Sequence, residues 1–244
     1  MNLEYSSCEV YSNIQVSTNI YEMKLRGDFN GEPGQFYMLR SWDIEPFLSR
    51  PISISNLDEN YLTFLYEVKG KGTKLFSNLK RGDLLKLTGP IGTGFPQDEK
   101  GRIGIVAGGI GLAPMIYLCS RLHNSIDLYV GFRENSFYTD EINKYVNKLF
   151  ISTESGLEGY RGFITEVFEP EKYDVVYTCG PTPMMKKIAE MCSERNIPVY
   201  ISMESKMACG IGACLGCSIE TTLGMKKVCK DGTVFKGREV FFND

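Results

Sequence analysis

Along the first third of the chain, polar and apolar residues alternate in short runs. Between Glu9 and about Leu87 the segments GQFYML, RPISIS and YLTFLYEV are separated by Gly, Asn and Asp turns, the period-two signature of half-buried strands. They predict a small antiparallel barrel. The rhythm changes from about Arg102 to Ile201. Continuous apolar runs, IGIVAGG, IDLYVGF, DVVYTCG and PVYIS, now alternate with helical stretches at Ala113–Leu122 and Pro183–Arg195. Strands that alternate with helices build a parallel sheet covered by helices, the architecture of nucleotide-binding domains. The Gly- and Pro-rich LTGPIGTGFPQDEKG is the joint between the two patterns. The final segment holds too few strands for a core of its own, and a metal or cluster has to organise it. The fold class read from the pattern is α/β plus β: an N-terminal antiparallel β-barrel over residues 1–98, a parallel-sheet nucleotide-binding domain over 99–202 and a small C-terminal segment over 203–244.

Composition removes several function classes. The 244 residues are 43% hydrophobic, enough for a sizeable core. Lys plus Arg number 27 against 30 Asp plus Glu, a formal charge of −3, so no global field draws in nucleic acid or an acidic membrane. The N-terminus, MNLEYSSCEVYSN, has no basic stretch followed by an apolar one, and no eighteen apolar residues run together. A cytoplasmic protein is expected. In that reducing compartment, crowded cysteines bind metal or do redox chemistry more readily than they form structural disulfides.

The crowding is sharpest in MACGIGACLGCSIETTLGMKKVC, Met207 to Cys229, which holds four of the eight cysteines. Cys209, Cys214 and Cys217 follow the spacing C-x4-C-x2-C, and Cys229 comes after eleven more residues. The first three match the plant-type 2Fe-2S spacing, although the fourth is much closer than in plant-type ferredoxins. Gly210, Gly212 and Gly216 allow positive φ and a close approach of backbone N–H groups to cluster sulfurs. A structural zinc site is the main alternative, but zinc ribbons show two C-x2-C pairs and this stretch has one. A disulfide framework is the weaker alternative.

Three further motifs suit a dinucleotide. RPISIS, Arg50 to Ser55, offers a guanidinium that can fork onto phosphate, though a strand Pro beside a solvated Arg explains it equally well. VKGKGTKLFSNL downstream adds a glycine turn at Gly70 and Gly72 with Thr73 as a candidate N-cap, and a helix start there has N–H groups open to phosphate. IVAGGIGLAPM, Ile105 to Met115, runs strand, glycine turn and helix, with Pro114 in the first helical turn. A tight turn with no ligand is its alternative. TCGPTPMM, Thr178 to Met185, repeats the logic, so that Gly109, Gly111, Cys179 and Gly180 can face one crevice at the carboxyl ends of the strands.

Arg-Pro-x-Ser, Gly-x-Gly-Thr, Gly-Gly-x-Gly-x-Ala-Pro and Cys-Gly-Pro, in this order over nearly the whole chain, resemble the ferredoxin reductase superfamily, an FAD barrel followed by a pyridine-nucleotide domain. With the tail MACGIGACLGC…VCKDGTVF, the chain resembles the family of electron-transfer subunits of NAD-dependent (type B) dihydroorotate dehydrogenase. The resemblance implies that Arg50, Pro51, Ile52 and Ser53 bind FAD, with Arg50 near the pyrophosphate and Ser53 near the reactive edge of the isoalloxazine. Leu65, Tyr66 and Glu67 would border the flavin, and Gly72 and Thr73 would close on its phosphates. Gly108, Gly109, Ile110 and Gly111, with Cys179, Gly180 and Pro181, would hold NADH. Cys209, Cys214, Cys217 and Cys229 would ligate one 2Fe-2S cluster. It also implies a partner, an FMN-containing dihydroorotate dehydrogenase catalytic subunit, two of each chain, and a place in pyrimidine (UMP) synthesis.

NADH gives up two electrons together and an iron–sulfur centre accepts one at a time, so a flavin belongs between them. No Ser-His-Asp order or paired-carboxylate motif stands out, and orotate chemistry is expected on the partner. The single His, His123 in SRLHNS, reads as a solvated residue at a helix end. Cys8, Cys119 and Cys192 read as small buried hydrophobes, and Met184, Met185 and Met203 as core or interface filler. Lys226, Lys227 and Lys230 read as a solvated turn that can also steer a partner. Arg133, just past a strand end, can meet a 2′-phosphate, so the residues alone leave NADPH open while the resemblance favours NADH. Small FAD and 2Fe-2S subunits of NADP-linked transhydrogenases and sulfhydrogenases share the architecture. From a different class, a zinc-stabilised nucleotide-binding regulator without redox turnover is the competing reading.

Overall fold

A computed structural model describes residues 4–242. Six strands close into an antiparallel barrel: β1 (Glu4–Ser17), β2 (Ile20–Arg26), β3 (Phe36–Arg40), β4 (Arg50–Leu57), β5 (Tyr61–Glu67) and β6 (Leu84–Ile91), in the order β1-β2-β5-β4-β3-β6. The alternation seen in the sequence is the reason. Met23, Leu25, Leu39, Ile54, Leu62, Phe64, Leu85 and Leu87 all point inward and are fully buried. Between β5 and β6 runs α1 (Lys71–Ser77). Its Phe76 closes one part of this core, 5.4 Å from the Trp42 ring and 5.9 Å from that of Tyr66.

The second half is a seven-stranded sheet. Its elements are β7 (Arg102–Gly108), α2 (Leu112–Arg121), β8 (Ser125–Phe132), α3 (Thr139–Asn143), β9 (Lys148–Thr153), β10 (Tyr160–Arg161), β11 (Val175–Cys179), α4 (Thr182–Ser193) and β12 (Val199–Ser202). These strands are parallel, in the order β10-β9-β8-β7-β11-β12. The chain winds outward from β7 through β8 and β9 to β10 and then returns to the other side of β7, so the order reverses between β7 and β11. A crevice at the carboxyl ends of the strands opens at that switch. Helix α2 covers one face, where Leu112, Met115, Ile116 and Cys119 join a core that also takes in Ile20, Leu65 and Phe95. Helix α4 covers the other, with Met185, Ile188, Ala189 and Cys192 buried. The helices begin one residue earlier than the sequence pattern predicted.

Barrel and sheet meet through α2. The Tyr117 hydroxyl donates to the Gly31 carbonyl at 3.0 Å, and Arg121 donates to the Leu57 carbonyl at 3.3 Å. Tyr177 reaches the Pro96 carbonyl at 2.9 Å in the joint segment.

The tail contains β13 (Ser218–Ile219), β14 (Lys226–Lys227), α5 (Val228–Asp231), β15 (Val234–Lys236) and α6 (Gly237–Val240). A cluster is not its sole organiser, as the strand count had suggested. Strand β15 joins the large sheet antiparallel to β12, with Phe235 opposite Ile201. Thr233 donates its hydroxyl to the Gly34 carbonyl of the barrel, and the Met203 N–H donates to the Thr233 carbonyl at 2.9 Å.

Among the remaining expectations, Cys119 and Cys192 are buried, Cys8 is half-buried, and burial pushes all three thiols up. His123 is exposed. Met185 and Met203 are buried in the α4-side core, and Met184 packs against it. Among the described residues no helix is long and apolar enough to cross a membrane.

Candidate functional site

Three groups of predicted residues come together. At the start of β4, the Arg50 guanidinium carbon lies 5.5 Å from the centre of the Trp42 ring, a cation–π contact that flattens the side chain against the barrel. Gly72 lets α1 come up to it: a Cβ there would stand 2.6 Å from Arg50 Nε. Pro51, Ile52 and Ser53 follow along the strand, half-buried and opposite Met38, Tyr37 and Phe36 of β3.

Two expectations for this region change. Gly70, not Thr73, is the N-cap of α1. Thr73 sits in the first turn, where its hydroxyl oxygen accepts from the N–H groups of Lys69 and Gly70 at 3.0 and 3.2 Å. Those two donors are therefore engaged within the turn. Leu65 turns its side chain into the α2-side core and Tyr66 into the barrel core, where the Tyr66 hydroxyl donates to Asn13 Oδ1 at 3.0 Å and burial pushes its pKa up. Of that trio only Glu67 lines the cleft described next.

A cleft of about 1130 Å³ lies at the switch between β7 and β11 and reaches across to the barrel. Gly108 to Gly111 and Gly180 to Pro181 line it on one side, Ser17 to Ile20, Glu67 and Lys69 on the other. Its two turns touch. A Cβ on Gly108 would stand 2.7 Å from Pro181 Cδ. Gly109 has φ of +54° with open space beside it, a conformation and an exposure suited to backbone contact with a phosphate. Cys179 does not line the cleft. It is buried, its thiol is pushed up by burial, and only its backbone contributes to the turn. Ser152, Glu154, Lys69 and Glu204 also line the cleft, and the sequence reading missed them because no motif marks them.

The cysteine loop folds around its own sulfurs. Gly210 and Gly212 have φ of +71° and +78°, as expected of ligand-loop glycines, but the third left-handed residue is Leu215 at +59°, not Gly216. This path turns N–H groups inward. Gly212 donates to Cys229 Sγ at 3.1 Å and Cys214 to Cys209 Sγ at 3.4 Å. Burial would raise the Cys209 pKa, but donation from the backbone of Cys214, Ile211 and Ala213 outweighs it and brings the thiol down to about 6. Cys217 and Cys229 are buried with their sulfurs 3.3 Å apart, while Cys209 is half-buried beside the exposed Cys214. The four thiols form two neighbouring pairs, each pair receiving a backbone N–H donor, and among the described residues no three such ligands converge on a single metal ion; soft thiolates in pairs are the ligand chemistry an iron–sulfur cluster takes.

The loop also leans on the barrel. A Cβ on Gly210 would stand 2.9 Å from Met38 Cγ, and Met38 is the register partner of Pro51. The candidate cluster is thus one strand away from the Arg-Pro-Ile-Ser segment.

Comparison with known proteins agrees with this arrangement. Residues 204–241 match the model of the iron–sulfur cluster binding domain of dihydroorotate dehydrogenase B. The chain is 51% identical over its whole length to the full dihydroorotate dehydrogenase B (NAD(+)) electron transfer subunit of Clostridium acetobutylicum. It is 42% identical to that of Clostridium perfringens, over 99% of this chain and 100% of that one. Among solved structures it resembles the NADH-dependent reduced ferredoxin-NADP oxidoreductase, with a TM-score of 0.86 and 25% identity over 96% of this chain and 89% of the other. The ferredoxin reductase in carbazole 1,9a-dioxygenase shares the fold, with a TM-score of 0.69 and 22% identity over 82% and 69% of the two chains. On its full-length identity to these subunits, its ferredoxin-reductase fold and its iron–sulfur tail, the chain belongs to the family of dihydroorotate dehydrogenase B (NAD(+)) electron transfer subunits.

Proposed function

We propose that the chain carries electrons from NADH, through FAD in the barrel segment 1–98 and a 2Fe-2S cluster in segment 203–244, to an FMN-containing dihydroorotate dehydrogenase catalytic subunit. In this reading NADH binds over residues 99–202, two copies of each chain assemble, and the complex works in the cytoplasm in pyrimidine synthesis. The observation that carries it is the contact of Gly210 with Met38, because Met38 pairs with Pro51 and so joins the cysteine loop to the flavin motif by a single strand.

When bound, a flavin supplies the exchange between two-electron and one-electron donors. The work of the chain is to bind and orient. Arg50, held flat by Trp42, meets a pyrophosphate. Ser53, half-buried two residues beyond Pro51, offers a hydroxyl toward the ring. The glycine turns at 108–111 and 180–181 let a nucleotide approach the backbone. Cys209, Cys214, Cys217 and Cys229 supply thiolates, and the N–H groups of Gly212 and Cys214 tune the potential of what they hold.

Ile211, Leu215, Leu223 and Met225 are exposed around the cysteine loop, which supports a partner covering this end of the molecule. The architecture alone also fits an electron-transfer subunit with a different acceptor, and family membership favours the dihydroorotate dehydrogenase partner. Co-purification with a catalytic subunit tests the reading. NADH-linked orotate reduction is expected only with both chains present, and this chain alone is expected to pass NADH electrons to artificial acceptors. Orotate reduction by this chain alone overturns the division of labour.

A further inference from the structure

Barrel and sheet are tied together at two levels. Away from the cleft, Tyr117 and Arg121 donate to the barrel carbonyls of Gly31 and Leu57. They stand roughly 8 and 14 Å along α2 from Leu112, the end of the helix next to the glycine turn. Nearer the mouth of the cleft the tie is of another kind. Glu22 of β2 lies two residues, about 7 Å, beyond the cleft residue Ile20 and on the same outer face of the barrel. Its register partner on β5 is Leu65, and Ile20 and Leu65 both belong to the α2-side core that spans barrel and sheet. Glu22 is thus a carboxylate 5% exposed in an apolar seam, a placement that is costly unless its oxygens are engaged. Both are. Lys24 Nζ stands 3.0 Å from Oε1, and the Tyr138 hydroxyl, arriving from the sheet half, donates to Oε2.

Tyr138 is held for this reach. It precedes α3 with φ of +64°, a left-handed conformation that a bulky residue keeps only where its surroundings impose it. Burial and the neighbouring Glu22 push its pKa up, so the hydroxyl keeps its proton and remains the donor. The residues before it form a strap along the cleft. Phe137 is buried with its ring 4.9 Å from that of Phe132. Ser136 donates its N–H to Glu158 Oε1 at 3.4 Å and its hydroxyl to Oε2. Arg133, Glu134 and Asn135, between β8 and these anchors, are exposed and line the cleft, and among the described residues no hydrogen bond or ion pair holds their side chains.

We propose that Tyr138 and Glu22 are positioning residues for hydride transfer: their bond fixes how far the sheet stands from the barrel at the mouth of the cleft, with the Tyr117 and Arg121 contacts as the pivot. A hydride, one proton with two electrons, passes from NADH to the flavin, and NAD+ leaves. The step needs reacting atoms about 3–3.5 Å apart, and a misplacement of about 1 Å costs on the order of a hundredfold in rate. Because the sheet turns hold the dinucleotide and the barrel holds the flavin, neither half sets that spacing alone. The contacts of Tyr117, Arg121 and Tyr177 across the two halves end on backbone carbonyls. The bond of Tyr138 to Glu22 joins two side chains and can be removed from either side. The proposal rests on the reading of the cleft as the NADH site and of the barrel as the flavin site.

The test is single-turnover reduction of the full chain, with flavin and cluster loaded, followed as flavin bleaching over a range of NADH concentrations. Tyr138→Phe, which removes the hydroxyl alone, is expected to slow the limiting rate about tenfold while the half-saturating NADH concentration moves less than roughly threefold. Glu22→Ala approaches the same bond from the barrel side, should the first variant misfold, and is expected to match it. The double variant should be no slower than the slower single one. Glu22→Gln, still an acceptor, should keep the unmodified rate within about threefold. Hydrogen exchange reads the tie without turnover: amides of residues 133–138 should exchange at least about tenfold faster in Tyr138→Phe, with those of α2 unchanged. Unmodified bleaching in both single variants overturns the assignment. So do losses that add in the double variant, or faster exchange that spreads equally over α2. ADP, a probe of the sheet turns alone, should bind every variant within about twofold of the unmodified chain. Failure of ADP to compete with NADH on the unmodified chain overturns the cleft reading itself, and the assignment with it.

Discussion

Gly111 lies directly against the carbonyl of Cys179: a Cβ at residue 111 would come 2.5 Å from that oxygen and 2.7 Å from Gly180 Cα. All of these neighbours are backbone, which cannot swing aside as a side-chain tip can. The two turns that floor the cleft are therefore close because neither strand end carries bulk at this point. Gly111→Ala should force them apart. We expect a loss of about 1–3 kcal/mol in stability, read by denaturant melts, and at least a tenfold rise in KM for NADH, about 1.4 kcal/mol in binding. A variant with unchanged melting and KM would show that the contact has slack.

Arg50 tests the barrel station. Its guanidinium stacks on Trp42, and Gly72 approaches its Nε without hindrance. Arg50→Lys keeps the charge but loses the planar face and the forked donors. Flavin release on dilution, followed by the fluorescence of free FAD, should show roughly tenfold weaker retention, in line with about 1–2 kcal/mol for the stacked and bidentate contacts. Retention equal to that of the unmodified chain would remove Arg50 from the flavin site.

The two ends of the cysteine set should behave differently. Cys214 is exposed, and Cys217 and Cys229 are buried among Met207, Val228 and Phe235 in the α4-side core. Cys214→Ser and Cys229→Ser should both abolish the visible absorbance of the cluster. In protein stripped by a chelator, Cys214→Ser should melt within about 0.5 kcal/mol of the parent, whereas Cys229→Ser, with a hydroxyl placed at 0% exposure, should cost about 1–3 kcal/mol. In Cys214→Ser, NADH should still bleach the flavin while partner coupling is lost.

Thiol reactivity in the stripped protein carries a sign that can be checked. Backbone donation holds Cys209 down to about 6, so its thiolate dominates at neutral pH. Iodoacetamide should label Cys209 readily at pH 7.5, and labelling should fall about tenfold per pH unit once the pH drops below that value. Cys119, Cys179 and Cys192, whose thiols burial pushes up, should remain unlabelled across the range. Mass spectrometry of peptide adducts at pH 5 to 7.5 decides. Labelling of Cys209 that still climbs about tenfold per unit all the way to pH 7.5, with no levelling above about 6, would contradict the inward N–H path of the loop.

How far the sequence could be read depended on the range of the interaction. The barrel, the parallel sheet and the C-x4-C-x2-C loop rest on local period and spacing, and each was visible as a run of letters. The placement of Leu65 and Tyr66 was not, because whether a strand residue faces core or ligand depends on what packs over the sheet. Thr73, the expected cap, lies three residues past the actual cap Gly70 because Ser, Thr and Gly all serve at helix starts and only backbone angles separate N-cap from the third residue. Ser152 and Glu154 carry no motif at all. They become legible once register sets Ser152 beside Gly131 and Gly108.

Thr233 closes a loop of 199 residues when its hydroxyl meets the carbonyl of Gly34, and Thr93 meets the Gly232 carbonyl next to it. During synthesis the chain emerges from its N-terminus, so this closure is among the last contacts that can form, and it needs a finished barrel and a finished edge at β12 to receive it. Cys229 is four residues upstream of that knot. The fourth thiol meets Cys217 across the local β13–β14 pair and needs no finished barrel, but the seating of its loop against Met38 does, so electron flow between barrel and loop becomes a report on completed folding as well as a chemical event.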